Sequence, residues 1–144
     1  MYSAIDVAKY IIWYCKKKGY SISNLKLQKI LYFVQAHFLV TTGKPCFAEN
    51  IEAWDFGPVV PEVYHTFKIF GSAELPASSC YKAETAILYA DRKIIDAMVD
   101  ECGEYSASAL VDISHNQDPW RNAYQKGWNN IITTDSICKY FSED

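Results

Sequence analysis

Ser114 and His115 are adjacent in the sequence, and they are the first residues to consider for catalytic chemistry. A hydroxyl or thiol nucleophile needs an imidazole within hydrogen-bond reach, and the chain offers five cysteines and three histidines. However, no G-x-S-x-G turn or family-specific cysteine signature is present. His37, His65 and His115 are not paired at metal-ligand spacing. The sequence therefore predicts no enzyme, no metal site and no cofactor, with a Ser/Cys–His hydrolase as the less favoured alternative.

The most informative segment is residues 54–64, which read WDFGPVVPEVY. Glycine permits positive φ and proline fixes φ, so this turn is expected to be rigid and to lose little entropy on binding. Aromatic side chains are typical anchors of protein interfaces. We interpret the segment as a partner-binding surface, although core packing is the favoured alternative for Trp54 and Trp120. The predicted contacts are Trp54, Phe56, Gly57, Pro58, Val60, Pro61 and Tyr64.

Composition indicates a single domain that covers residues 1–144. The net charge of −3 and one short basic run at residues 16–18 argue against direct nucleic-acid binding. The odd number of cysteines predicts no disulfide framework and favours a reducing cytoplasm. No signal pattern and no membrane-length apolar run occurs, so we expect a cytoplasmic protein without membrane contact.

Apolar periodicity and capping residues predict a compact, mainly α fold of several helices. The second helix is apolar on several sides, which is typical of a central helix. A short extended or β element at residues 51–56 is predicted between the second and third helices, followed by a Gly-Pro turn. The expected helix boundaries are Ser3 to Gly19, Ser23 to Gly43, Pro61 to Gly71 and Asp91 to Gly103, with further starts at Ser106, at Asp118-Pro119 and at Thr133 or Thr134.

Several separated motifs resemble those of one known family. Residues 26–35, KLQKILYFVQ, are similar to the KLQKLLYYAQ-type helix of the Panacea domain, a family of phage-associated GepA-like and SocA-like proteins. Residues 43–45, GKP, and 51–64, IEAWDFGPVVPEVY, match its next signature. Residues 110–115 and Pro119-Trp120 match its C-terminal signature. The resemblance runs in the right order over essentially the whole chain.

The resemblance implies an antitoxin-like protein that neutralises a protein toxin, encoded next to it, by direct complex formation. SocA-like members also deliver a bound toxin to a Clp-family protease, and many members belong to phages or prophages. The family is not known for catalysis, and its matched positions define no catalytic set. A phage protein that binds a host factor is the alternative, and the oligomeric state stays open.

Seven residues within the matched motifs are interpreted as structural: Lys26, Gln28, Tyr32, Gln35, His115, Pro119 and Trp120. Gln28, Tyr32 and Gln35 form a semi-polar strip that either faces a groove or pairs with buried backbone groups. Lys26 and Lys29 are expected to be salt-bridged surface residues. His115 is predicted to bond a free carbonyl and to lock the following turn.

Overall fold

The computed structural model describes residues 1–142, which form seven α-helices and one small antiparallel sheet. Short 3-10 turns lie at Lys68–Phe70, Ala77–Ser79 and Ala83–Ala86. The prediction of a mainly α fold with a minor β part is confirmed. The elements in chain order are α1 (Ala4–Lys18), α2 (Asn24–Thr42), β1 (Ile51–Trp54), β2 (Gly57–Val59), α3 (Pro61–Phe67), α4 (Tyr89–Cys102), α5 (Ala107–His115), α6 (Asp118–Ala123), β3 (Ile131–Ile132) and α7 (Thr134–Ser142).

Side-chain and glycine caps fix the ends of the long helices. The hydroxyls of Ser3, Ser23 and Ser106 each accept a hydrogen bond from the backbone N–H three residues later. Gly19 and Gly43 end α1 and α2 in the left-handed conformation, with φ of 80° and 75°. These predicted boundaries are confirmed, because caps depend on local chemistry.

Two helix starts were predicted wrongly. α4 begins at Tyr89, and Asp91 lies inside its first turn instead of capping it. The Asp91 carboxylate accepts a hydrogen bond from the Tyr2 hydroxyl, a tertiary contact that the local pattern does not show. Asp118 is the first residue of α6 and Gln117 precedes it, so this boundary is displaced by one residue.

α2 is the central helix, as its apolar pattern predicts. It packs against α1, α3, α4, α5, α7 and β2. Leu27, Ile30, Leu31 and Tyr32 are fully buried along it. Most of the buried polar side chains among residues 1–142 lie on α2. Since a helix that is surrounded on several sides shields these groups from water, they need hydrogen-bond partners within the protein.

The sheet has the strand order β2-β1-β3. β1 pairs antiparallel with β2 through Trp54 opposite Gly57, and with β3 through Ile51 opposite Ile132. The sequence pattern predicted β1 but neither β2 nor β3. β2 carries the Gly-Pro pair that reads locally as a turn, and β3 becomes a strand only because residues far along the chain pair with β1.

Tyrosine–aspartate hydrogen bonds join α1 to α4. The Tyr10 hydroxyl donates to Asp96 at 2.6 Å, and the Tyr14 and Tyr20 hydroxyls donate to Asp100 at 2.9 and 2.8 Å. Burial and these bonds raise the pKa values of Tyr10 and Tyr14. None of the described helices is long and apolar enough to cross a membrane.

Candidate functional site

The β1–β2 hairpin turns through two residues, Asp55 and Phe56. Gly57 follows them with a φ of +103°, a conformation that side chains with a Cβ rarely adopt. A Cβ at Gly57 would lie 2.8 Å from Lys29 Cε and 2.9 Å from Ser114 Oγ. Glycine is therefore required here twice, for its backbone angle and for the close packing of the hairpin on α2 and α5.

A buried lysine supports the hairpin from below. Lys29 on α2 is 0% exposed, and its Nζ donates a hydrogen bond of 2.8 Å to the carbonyl oxygen of Pro58. Burial lowers the pKa of Lys29 to about 7, because the interior disfavours its charged form. The expectation of a salt-bridged surface residue is wrong for Lys29, because it is buried close beneath Gly57. Within residues 1–142, its ammonium bonds the Pro58 carbonyl and forms no ion pair.

A chain of amide groups fixes the junction between β2 and α3. The Gln28 side-chain oxygen accepts from the Val60 N–H at 2.9 Å, and its nitrogen donates to Asn24 Oδ1 at 2.9 Å. The Asn24 nitrogen donates in turn to the Tyr64 carbonyl at 3.0 Å. Gln28 and Asn24 are both buried, so these bonds satisfy groups that water cannot reach.

Stacked rings hold the outer side of the hairpin. His115, Trp120 and Tyr124 stack with centroid distances of 4.0 and 4.4 Å. The His115 Nε2 lies 3.0 Å from the Asp55 carbonyl oxygen, which can only accept, so Nε2 carries the proton. The Trp120 Nε1 donates to the Trp54 carbonyl at 2.9 Å. The prediction that His115 bonds a carbonyl agrees with the geometry, but the acceptor belongs to Asp55 of the hairpin and not to the turn that follows His115.

Tyr124 completes this side of the hairpin, and the sequence pattern did not point to it. Its hydroxyl donates to Asp55 Oδ1 at 2.6 Å, and this hydrogen bond raises the pKa of Tyr124. The hairpin is thus held by α2 on one side and by three rings on the other. Such a loop is preorganised before any partner arrives.

An open groove of about 530 Å³ lies beside the hairpin. Its lining is mostly apolar and includes Trp54, Phe56, Tyr64 and Trp128. Trp54 and Tyr64 meet edge to face at 5.0 Å. Phe56 and Trp128 are 67% and 62% exposed, so both present most of their ring surface to solvent. Exposed aromatic side chains around a shaped depression are typical of a binding surface.

The seven predicted contact residues fall into two groups. Phe56 is exposed, and Trp54, Pro61 and Tyr64 are half-buried. Gly57, Pro58 and Val60 are buried, so they shape the hairpin and present no side chain to a partner. Trp128 was missed by the sequence reasoning. It follows Gly127 in a turn, the same signal that indicated an exposed Phe56.

The motif residues of α2 all bond groups inside the chain. Lys26 is 4% exposed and donates to the carbonyls of Ser21 and Gly103 at 2.9 and 2.7 Å, which also corrects its expected place on the surface. The Gln35 side-chain nitrogen donates to the Phe47 carbonyl at 3.0 Å, and its oxygen accepts from the backbone N–H groups of Cys46 and Phe47 at 2.7 and 3.3 Å.

Three further motif residues, Tyr32, Pro119 and Trp120, also contact other parts of the chain. The Tyr32 hydroxyl of α2 donates to the Gln117 side-chain oxygen at 2.8 Å, just before α6. Pro119 is buried and Trp120 is half-buried against the core. Of the two possibilities left open for the semi-polar strip of α2, pairing with internal groups is the one that the geometry favours.

Ser114 and the cysteines Cys15, Cys46 and Cys102 are buried and poorly placed to act as nucleophiles. Ser114 is 0% exposed, and its hydroxyl donates to the Val111 carbonyl at 2.9 Å. Burial raises the pKa values of Cys15, Cys46 and Cys102 to about 12, which keeps these thiols protonated. Among residues 1–142, no group of three or more His, Cys, Asp or Glu side chains is arranged to hold a metal ion.

Comparison with known proteins assigns the chain to a family. The sequence model described as "Antitoxin SocA-like, Panacea domain" matches residues 27–121, which include α2, the hairpin and the stacked rings up to Trp120. The chain belongs to the SocA-like Panacea-domain family. This confirms the resemblance carried by the KLQK helix and the W-x-x-G-P segment.

A curated member of this Panacea-domain family shares a large part of the sequence. The chain is 38% identical over 109 residues to Antitoxin SocA of Caulobacter vibrioides (strain NA1000 / CB15N). The alignment covers 69% of this chain and 58% of that protein, so the chain spans a little over half of its relative's length. No solved structure matches the chain at a significant level.

Proposed function

We propose that this protein is an antitoxin that binds a protein toxin, encoded by a neighbouring gene, and blocks it by direct complex formation. The observation that carries this proposal is the groove beside the β1–β2 hairpin, with Phe56 and Trp128 exposed on a preorganised support. Family membership and the name of the Caulobacter relative point to the same role.

The construction of the site favours binding over conversion. Two buried polar side chains beneath the hairpin form hydrogen bonds with its backbone and with the residue that follows it. Lys29 donates to the Pro58 carbonyl, and Gln28 accepts from the Val60 N–H. The side chains turned outwards are apolar rings, which bury a large area with few rotatable bonds. A partner that covers Phe56 and Trp128 therefore gains hydrophobic contact without having to order the loop.

The test is co-purification of the protein with the product of the adjacent gene, combined with growth rescue on co-expression. The variants Phe56→Ala and Trp128→Ala are each expected to weaken the complex about tenfold or more, as anchor residues do. Leu88→Ala is the matched control, because Leu88 is 72% exposed and does not line the groove. Binding that is unchanged in both groove variants would refute the assignment of the site.

Proteolytic adaptor activity extends this proposal. An adaptor must hold its toxin and a Clp-family protease together, so degradation of the toxin should accelerate only when the chain is present. The assay follows toxin lifetime with purified protease, with and without the chain, and with Phe56→Ala. A toxin lifetime that is the same with and without the chain would contradict the adaptor role. The proposed mechanism would then be that the chain covers the active surface of the toxin without promoting its degradation. Capture of a host protein in place of the toxin would support the alternative of a host-factor binder.

A further inference from the structure

One face of α4 is exposed along its length and is polarised in charge. Ile95, Val99 and Cys102 turn into the core, which leaves the opposite side of the helix in solvent. Along that side, an aromatic residue and a cation lie near the start, a small residue lies in the middle, and acids lie at the end. These exposed residues are Tyr89, Lys93, Ala97, Asp100, Glu101 and, just beyond the helix, Glu104 and Tyr105.

The stability of the helix itself does not explain this order of charges. The C-terminal end of a helix carries a partial negative charge, so anions there are unfavourable. The Lys26 ammonium of α2 bonds the Gly103 carbonyl at this end, but the last turn of α4 contains no basic residue of its own, and Glu101 lies in it. The Asp100 carboxylate already accepts hydrogen bonds from the hydroxyls of Tyr14 and Tyr20 in the same chain. In the part of the chain that the structure describes, neither Lys93 nor Glu101 forms an ion pair.

We propose that this face of α4 binds the same face of a second copy of the chain, in an antiparallel pair around a two-fold axis at Ala97. Under that symmetry, a residue before Ala97 faces the residue equally far beyond it. Lys93 then lies opposite Glu101. Tyr89, at the start of one helix, approaches the turn that follows the end of the other, where Tyr105 is 50% exposed. The small side chain of Ala97 lets the two helices approach closely where they cross.

Charge complementarity selects this occupant and this orientation. A parallel pair would place Lys93 against Lys93 and Glu101 against Glu101, whereas the antiparallel pair matches each cation with an acid. Tyr89 already carries Lys93 over its ring, with the ammonium 4.9 Å from the centroid, so the aromatic and the cation form one unit. The face is therefore complementary to itself.

The size of the face sets the strength of the pair. α4 has 14 residues and is about 21 Å long at a rise of about 1.5 Å per residue. A contact between two such helices is smaller than a standard protein interface, so we expect weak association that rises with concentration and falls with salt. No residue of α4 lines the hairpin groove, so both grooves of the pair stay open. This inference does not depend on the proposed function.

Sedimentation velocity from micromolar to near-millimolar concentration tests the pair. The average mass should rise from 16.5 kDa towards twice that value at low salt and return towards the monomer at high salt. Lys93→Glu and Glu101→Lys should each raise the dissociation constant about tenfold or more, because each places like charges opposite each other. The double variant Lys93→Glu/Glu101→Lys restores the pairing and should associate again.

Mixing the two single variants gives a sharper test. Lys93→Glu has acidic residues at positions 93 and 101, and Glu101→Lys has lysines at both, so neither variant should associate with itself. A mixture of the two should form a mixed dimer in which each acid faces a lysine. Lys44→Glu and Asp112→Lys are matched charge reversals at exposed positions away from α4, and they should leave association unchanged. Circular dichroism checks that every variant is folded. A chain that is monomeric at all concentrations, or a dimer that ignores both α4 reversals, would overturn the proposal.

Discussion

Replacing Lys29 by methionine should change how the stability of this protein depends on pH. Methionine fills nearly the same volume without a charge. The pKa of Lys29 falls from its ordinary 10.5 to about 7 in the folded chain. Between those values the unfolded chain binds the proton and the folded chain does not, so stability rises with pH through this window and is lowest below pH 7.

The magnitude follows from the two pKa values. Burying Lys29 costs about 4 kcal/mol at pH 7 and about 3 kcal/mol at pH 8.5, relative to a residue that does not titrate. The variant leaves the Pro58 carbonyl without its donor, which costs about 1–3 kcal/mol at either pH. Lys29→Met is therefore expected to be more stable than wild type at pH 7, and its advantage should shrink by about 1–2 kcal/mol at pH 8.5.

Urea unfolding of both proteins at pH 7 and pH 8.5 measures this change. The thiols of Cys15, Cys46 and Cys102 have raised pKa values, about 12 each, so they contribute stability that is lost as pH rises above the ordinary thiol range. Both proteins contain them, so their effect cancels in the difference. Lys44→Met is the control, since an exposed ammonium keeps its water in the folded state. A stability difference between Lys29→Met and wild type that is equal at both pH values would refute the reasoning.

Changes at three further positions probe the hairpin and the loop that leads into it. Gly57→Ala should lower the free energy of unfolding by about 2–4 kcal/mol, because it combines a positive φ with two close contacts; a change below about 1 kcal/mol in urea would contradict this. Gln35→Leu removes the partners of the Cys46 and Phe47 backbone and should cost about 2–4 kcal/mol, measured as a lower thermal midpoint. Gln35→Glu should also lower the midpoint, because it places a carboxylate oxygen against the Phe47 carbonyl that now receives a hydrogen bond. Trp120→Phe keeps a stacked ring but loses the bond to the Trp54 carbonyl, so hydrogen exchange should accelerate at the hairpin amides and remain unchanged in α1; equal exchange throughout would show that this bond does not hold the hairpin.

The sequence was informative wherever the signal is local. Ser3 and Ser23 mark helix starts and Gly43 marks a helix end, because a cap involves only residues within one turn. The apolar pattern of α2 identified the central helix for the same reason. The order of separated motifs identified the family, and the exposure of Phe56 follows from its position in a tight turn.

Tertiary structure alone decided the roles of the polar residues. Lys29 reads as a surface lysine in the sequence, and its burial depends on how closely Gly57 lies over it. Asp91 has the chemistry of a cap, but a tyrosine 89 residues away takes its carboxylate. Trp128 joins Phe56 at the groove only through the folding of the last third of the chain. Local preferences fix the helices of this protein, whereas burial and long-range hydrogen bonds depend on which distant segments meet, and that is settled only when the whole core packs.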